Sequence, residues 1–317
     1  MIQIKPFPFD KGTVPVIEPT ILIELSNFLL QRNHMDQQII NLYDEYTHKP
    51  LSRNEFMRRL VLLTGSTAAA MAILPLIEVN QAKAAITDAD DLFTEYITYE
   101  GVQGTMKAYV ARPQQFKKYP VVIVIHENRG LNAHIEDVTR RAAKAGYLAI
   151  APNALSPLGE MPPTEDEARQ KFQQLKAEDN LQNFLRVFDY IKGRKDAGGK
   201  IGCVGFCWGG AMANSLAVHV PQLKAAVAFY GRQADVKDVP KIKAALQLHY
   251  AALDERINAG IPAYEAALKE NGITYELYMY ENVNHAFHND TAPSRYNEAA
   301  AKLAWERTLQ FFKKQLS

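Results

Sequence analysis

Apolar positions along the chain follow two rhythms. Val121-Val122-Ile123-Val124-Ile125 is a continuous β-branched run, the composition of a strand buried on both faces. Thr94–Tyr99 and Met106–Ala111 alternate apolar and polar residues, which predicts an opening antiparallel pair. Leu148-Ala149-Ile150-Ala151 reads as a short strand stopped at Pro152, and Ile201–Phe206, Ala225–Phe229, Ala245–His249 and Tyr275–Tyr280 as further strands. Between them the period becomes helical. Ile135–Lys144 precedes Gly146; Leu181, Phe184, Leu185, Phe188 and Ile191 mark one apolar face; Ala263–Lys269 stops at Asn271-Gly272; Arg295–Lys314 is a long terminal helix. This alternation predicts an α/β domain with a mainly parallel central sheet flanked by helices. Chemistry then belongs in loops at the carboxyl ends of the strands. Ser156–Glu167, with its prolines and acids, is expected to be an exposed loop at the rim of such a site.

Residues 1–84 read as an N-terminal extension and 85–317 as the α/β domain. Met1–Pro19 is irregular. Ile21, Leu22, Leu25, Phe28 and Leu29, then Ile39, Ile40, Tyr43 and Tyr46, recur at helical spacing. A basic stretch, Ser52–Arg59, an uncharged run, Leu60–Ile77, and Ala82-Lys83-Ala84 together form a signal-peptide pattern. It resembles a twin-arginine export signal, although Asn54 stands where the second arginine of the pair belongs. The run sits at the short limit for a membrane span and contains Pro75. Three outcomes stay open: export with cleavage after Ala84, retention of the segment against protein, or a membrane anchor. A working signal over 52–84 implies an extracytoplasmic, periplasmic location with only transient membrane contact; otherwise the chain is expected to be cytoplasmic. Retained helices offer a surface for homo-oligomers.

Charge is nearly balanced, with Lys+Arg 36 and Asp+Glu 35. Nothing in that balance argues for a nucleic-acid partner. The two cysteines, Cys203 and Cys207, lie about 13 Å apart if both follow one strand. That exceeds the roughly 7 Å a disulfide spans.

Cys207 carries the strongest chemical signal. Val204-Gly205-Phe206-Cys207-Trp208-Gly209-Gly210 joins a strand to a small-residue helix, the setting of a nucleophile elbow with Cys in place of the usual Ser. Flanking glycines permit the tight backbone, and a helix beginning at Trp208 aims N–H groups at the sulfur. Cys203, inside the strand, reads as a small buried hydrophobe. A nucleophile needs a base and the base an orienter. Asp254, beyond the strand ending near His249, and His285, after the Tyr275–Tyr280 strand, follow Cys207 in the order this fold uses. Asp254 is also a candidate helix N-cap, Asp235 and Asp238 are rival acids, and His288 is a rival base. His249 reads as a packed structural histidine. His34, His48, His134 and His219 read as surface residues, with no spacing that suggests a metal. His126-Glu127-Asn128-Arg129-Gly130 follows the buried strand and places charge beside the core, which is expensive without a purpose.

Taken together, His126 through Asn132, Gly205 through Gly210, Tyr250 through Asp254, and Asn284-His285-Ala286-Phe287 resemble the dienelactone hydrolase (carboxymethylenebutenolidase) family of the α/β-hydrolase superfamily, over roughly Asp88–Gln315. The resemblance implies an α/β-hydrolase fold and a carboxylic ester hydrolase acting on a small-molecule ester or lactone, without cofactor or metal. It implies Cys207 as nucleophile, His285 as general base and acid, and Asp254 as orienter. Glu127 matches a glutamate that contacts the resting cysteine, and Trp208 and Asn128 match the backbone donors of the oxyanion hole. Two substrate-binding arginines of dienelactone-cleaving members have no match: Asn289 stands at one position, Pro152–Leu155 lacks the other, and Arg129 is an unmatched cation nearby. A thiol-redox or peroxide-responsive protein using Cys207, and a non-catalytic scaffold, are the alternatives from other classes.

Overall fold

The computed structural model describes residues 37–78, 87–162 and 164–317. The expected helix around Ile21–Leu29, the Ala82-Lys83-Ala84 site and the expected boundary after residue 84 lie outside them. The chain divides into two compact units, Met1–Ala70 and Met71–Ser317, with the division inside a helix.

In the first unit, residues 37–48 are helical (α1). Helix α2 follows at Arg53–Thr64, opened by the Ser52 side chain accepting from the Glu55 N–H. Tyr46 stacks on Phe56 at 4.4 Å between ring centroids, with Tyr43 edge-on to Phe56. Arg58 and Arg59 both bond the Glu55 carboxylate, which holds it down at about 2. The apolar run Leu60–Ile77 is not one helix. Gly65 terminates α2 at φ +81, and a new helix, α3, runs Thr67–Ile77. Among the described residues no single helix is long and apolar enough to cross a membrane.

The second unit is built on an eight-stranded sheet. Its strands are β1 (Leu92–Glu100), β2 (Thr105–Pro113), β3 (Tyr119–Ile125), β4 (Leu148–Asn153), β5 (Ala197–Phe206), β6 (Ala225–Phe229), β7 (Ala245–Ala251) and β8 (Tyr275–Tyr280), in the order β1-β2-β4-β3-β5-β6-β7-β8. β1–β2 and β2–β4 are antiparallel; every later pairing is parallel. β4 continues through Pro152, where the sequence predicts a stop. Its pairing with β3 ends at Ile150, so beyond that point only β2 borders it and the missing proline N–H is tolerated.

Helices α4 (Ala133–Lys144), α5 (Glu165–Phe172), α6 (Ala177–Lys192), α7 (Trp208–His219), α8 (Glu255–Asn258), α9 (Ile261–Glu270) and α10 (Glu298–Leu316) complete the unit. The period-2 geometry of β3 explains how they sort. Val121, Ile123 and Ile125 join a core with Phe184 and Val187 of α6, Leu216 of α7 and Leu268 of α9. Val122 and Val124 face the other way, into a core with Ile135 and Val138 of α4 and Ala304 and Phe312 of α10. The sheet is therefore covered on both faces, and β3 is fully buried from Val121 to Ile125. The expected loop Ser156–Glu167 is partly folded: Ser156 is buried and accepts from the Lys107 N–H, and Thr164 caps α5.

Candidate active site

Cys207 sits between the last residue of β5 and the first of α7, at φ +55 and ψ −112. Glycine makes that turn sterically feasible. A Cβ on Gly205 would lie 1.8 Å from the Gly209 carbonyl oxygen, and one on Gly209 would lie 2.3 Å from the Ile125 oxygen. Only glycine lets α7 pass so close to β3 and β5. The Cys207 N–H donates to Phe229 O at 3.0 Å, which ties the turn to the end of β6. Among the described residues, four non-glycine residues have positive φ: Cys207, Tyr230, Asn282 and Ala286. They follow β5, β6 and β8, and Ala286 adjoins His285, so the strained backbone gathers where side chains converge.

His285 and Asp254 meet at the carboxyl ends of β8 and β7. His285 Nδ1 lies 2.5 Å from Asp254 Oδ2, and both residues are buried. Cys207 Sγ and a ring nitrogen of His285 are within 4.8 Å of each other. Asp254 is also the N-cap of α8, with Oδ1 accepting from the Ile257 N–H at 3.2 Å. The helix cap and the contact with His285, alternatives in the sequence, use two oxygens of one carboxylate. The rival acids lie elsewhere: Asp235 is exposed beside Lys237, and Asp238 pairs with Lys241 at 2.7 Å. The rival base His288 is packed among Phe206, Phe229 and Trp305.

Glu127 follows β3. Its Oε1 accepts from the Tyr230 hydroxyl at 3.2 Å and its Oε2 from the Asn289 amide at 2.7 Å. The orientation of that amide is fixed, because Asn289 Oδ1 accepts from the Thr291 N–H and hydroxyl. Burial, then the nearby Glu127 and Cys207, push the Tyr230 phenol well above its ordinary range, so it stays a donor. Its ring lies 4.9 Å from that of His285. Tyr230 was not singled out in the sequence; its place one residue beyond a strand was the available signal. Arg129 does not stand open to a substrate. Its guanidinium donates to the Asn128 carbonyl and side chain and lies 3.1 Å from Glu165 of α5.

His126 is fully buried under this loop. Its Nε2 accepts from the Ala154 N–H at 3.0 Å and its Nδ1 bonds Glu127 O at 2.5 Å. Its ring stacks on Trp208 with centroids 5.4 Å apart. Burial pushes its pKa down to about 4, so it is neutral. His249 is packed as expected, bonded to Tyr280 and Gln247. His134 corrects the sequence reading. It is buried, not a surface residue, because Asp290 accepts from it at 2.8 Å and compensates the loss of water. Cys203 is buried and free, and burial pushes its thiol pKa up.

The model of the dienelactone hydrolase family matches residues 106–316. A Saccharolobus solfataricus protein named "Putative carboxymethylenebutenolidase" is 30% identical over 256 residues, covering 69% of this chain and 97% of its own. An Escherichia coli K12 protein of the same name is 34% identical over 249 residues, covering 73% and 91% respectively. The crystal structure of a "Putative Dienelactone Hydrolase" from Klebsiella pneumoniae superposes with a TM-score of 0.65 at 29% identity, covering 70% of this chain and 99% of that one.

Proposed function

The chain belongs to the dienelactone hydrolase family, and from that premise we propose that it cleaves a small-molecule ester or lactone through a thioester on Cys207. That it is an α/β-hydrolase enzyme acting on carboxylic esters or lactones follows from the family. The residue roles are the proposal. The observation that carries it is the chain of three buried groups from three strand ends: Asp254 Oδ2 on His285 Nδ1, and a ring nitrogen of His285 within 4.8 Å of the Cys207 sulfur.

In this reading His285 Nε2 takes the Cys207 proton as the sulfur attacks the carbonyl carbon. The oxyanion is held by the N–H groups of Trp208 and Asn128. The tetrahedral intermediate collapses, the C–O bond breaks, and His285 returns the proton to the leaving alkoxide. Water, deprotonated by His285, then attacks the thioester; the acid leaves and Cys207 regains its proton. Asp254 keeps the imidazole in the tautomer with hydrogen on Nδ1 and stabilises the imidazolium. Glu127, hydrogen-bonded to Tyr230 and Asn289, is assigned to guard the resting thiol. One oxyanion donor is worth about 3–4 kcal/mol of barrier. The redox alternative draws no support from Cys203, which is buried inside β5.

The test uses the full-length protein with p-nitrophenyl acetate and short lactones. Cys207→Ala and His285→Ala are each expected to lower kcat by on the order of a thousandfold or more. Turnover equal to the unaltered protein in Cys207→Ala would sink the assignment.

A further inference from the structure

His126 touches both segments that carry the proposed oxyanion donors. Its tautomer is fixed by its partners. The Ala154 N–H can only donate, so Nε2 is the bare nitrogen and Nδ1 carries the hydrogen. That hydrogen goes to the carbonyl oxygen of Glu127. The Glu127 carbonyl and the Asn128 N–H belong to one peptide unit. No peptide bond among the described residues is cis, so the two groups point in opposite directions from a rigid plane. Fixing the carbonyl therefore fixes the direction of the Asn128 N–H. A hydrogen bond accepted by the carbonyl also polarises the unit and makes that N–H a stronger donor.

The imidazole is itself immobilised. Besides the Ala154 bond, it is stacked on Trp208 at an interplanar angle of 16° and meets the edges of Phe172 and Phe184. The Trp208 side chain under this stack belongs to the residue whose backbone is the other proposed donor. Packing is tight here as well: a Cβ on Gly209 would fall 2.5 Å from the His126 carbonyl oxygen.

We infer that His126 is a positioning residue for the oxyanion hole, aiming the Asn128 N–H through its bond to the Glu127 carbonyl and bracing Trp208 by stacking. This rests on the Cys207 reading above. It adds that one buried histidine couples the two halves of the hole.

Two substitutions in the full-length protein separate the bond from the packing. In His126→Gln the side-chain oxygen reaches the Nε2 position and keeps the Ala154 bond, but the donor at the Nδ1 position is lost. In His126→Asn the amide sits at the Nδ1 position and keeps the donor to Glu127, but the Ala154 bond is lost. Both lose the ring, so their difference sets the Glu127 bond against the Ala154 bond, and only the former aims the Asn128 N–H. The readouts are kcat and KM with p-nitrophenyl acetate, per active site titrated by the p-nitrophenol burst. A third is the inhibition constant of trifluoroacetophenone, whose adduct places an oxyanion in the hole. His126→Asn is expected to keep a kcat about tenfold above that of His126→Gln, with KM alike, and to bind the ketone more tightly by a similar factor. Alkylation of Cys207 by iodoacetamide is expected to run at the same rate in both. Equal kcat and equal ketone affinity in the two variants would overturn the inference, as would a difference confined to KM or to alkylation. Failure of the Cys207 reading shows separately, as unchanged turnover in Cys207→Ala.

Discussion

Asp254 serves two partners with two oxygens, one capping α8 and one meeting His285. The two duties separate in Asp254→Asn. Asparagine caps helices about as well as aspartate, so stability is expected to change by less than about 0.5 kcal/mol. The orienting duty is lost, because an amide facing Nδ1 favours the wrong tautomer, and kcat is expected to fall by roughly 10³–10⁴. Thermal unfolding and kcat measured on the same preparation check this. An unchanged kcat in Asp254→Asn would refute the orienting role. Asn289 shows residue-scale specificity in another way. A neutral amide committed to Glu127 and Thr291 stands where the resemblance leads one to expect a cation. Arg129 is engaged by Asn128 and Glu165.

At the scale of elements, the segment after β8 carries both His285 and Asn289, and its anchor is α4. Asp290 accepts from His134 at 2.8 Å and from Arg141 at 2.7 Å, and Asp137, also on α4, bonds the Thr87 N–H. Burial alone raises the Asp290 pKa, but bonds from His134 and Arg141 overcome it and hold the carboxyl below its usual range. Removing one partner of a buried ion pair costs about 3–5 kcal/mol. Arg141 keeps Asp137 at 2.6 Å, so Asp290→Asn is expected to cost less, about 2 kcal/mol. Because the same segment holds His285, the proposed base, kcat is expected to fall with it. Urea midpoint and kcat together test the anchor; an unchanged midpoint would refute it.

For the whole molecule, buried neutral histidines set the acid limit of stability. Burial pushes His126 down to about 4 and His249 to about 3. In the unfolded chain both titrate near about 6.5. As pH falls below that value the unfolded chain takes up protons that the folded chain refuses, so stability is present above about 6.5 and is lost towards 4 and 3. Each unit of pH in that window costs about 1.4 kcal/mol per group. A urea midpoint that is the same at pH 7 and pH 4.5 would contradict this. The destination of the chain is a separate whole-molecule proposal. If residues 52–84 act as an export signal, protein from its own cell has the intact mass of a chain beginning after Ala84; a full-length mass would reject export.

The sequence alone determined the alternation of elements and singled out Cys207 as the proposed nucleophile. Apolar periodicity and glycine placement are local properties, and β6 and β8 fall at the residues that periodicity predicts. The elbow was legible because Gly205, Gly209 and Gly210 leave room for the tight strand-to-helix backbone around Cys207 that any larger residue would block. Strand ends narrowed the acid and base to a few residues. Sequence position favoured Asp254 and His285 among them, but which side chains touch required tertiary structure. Asp254 and His285 are 31 residues apart in sequence, and no periodicity states which carboxylate meets which imidazole. The engagement of Glu127 by Asn289, the buried state of His134 and the link from His126 to both proposed oxyanion donors also join distant segments. They arise from desolvation and hydrogen-bond satisfaction in the assembled core, where a polar group must find whichever partner packing brings within reach. The continuation of β4 through Pro152 was decided the same way, by which neighbour the strand still had at that point.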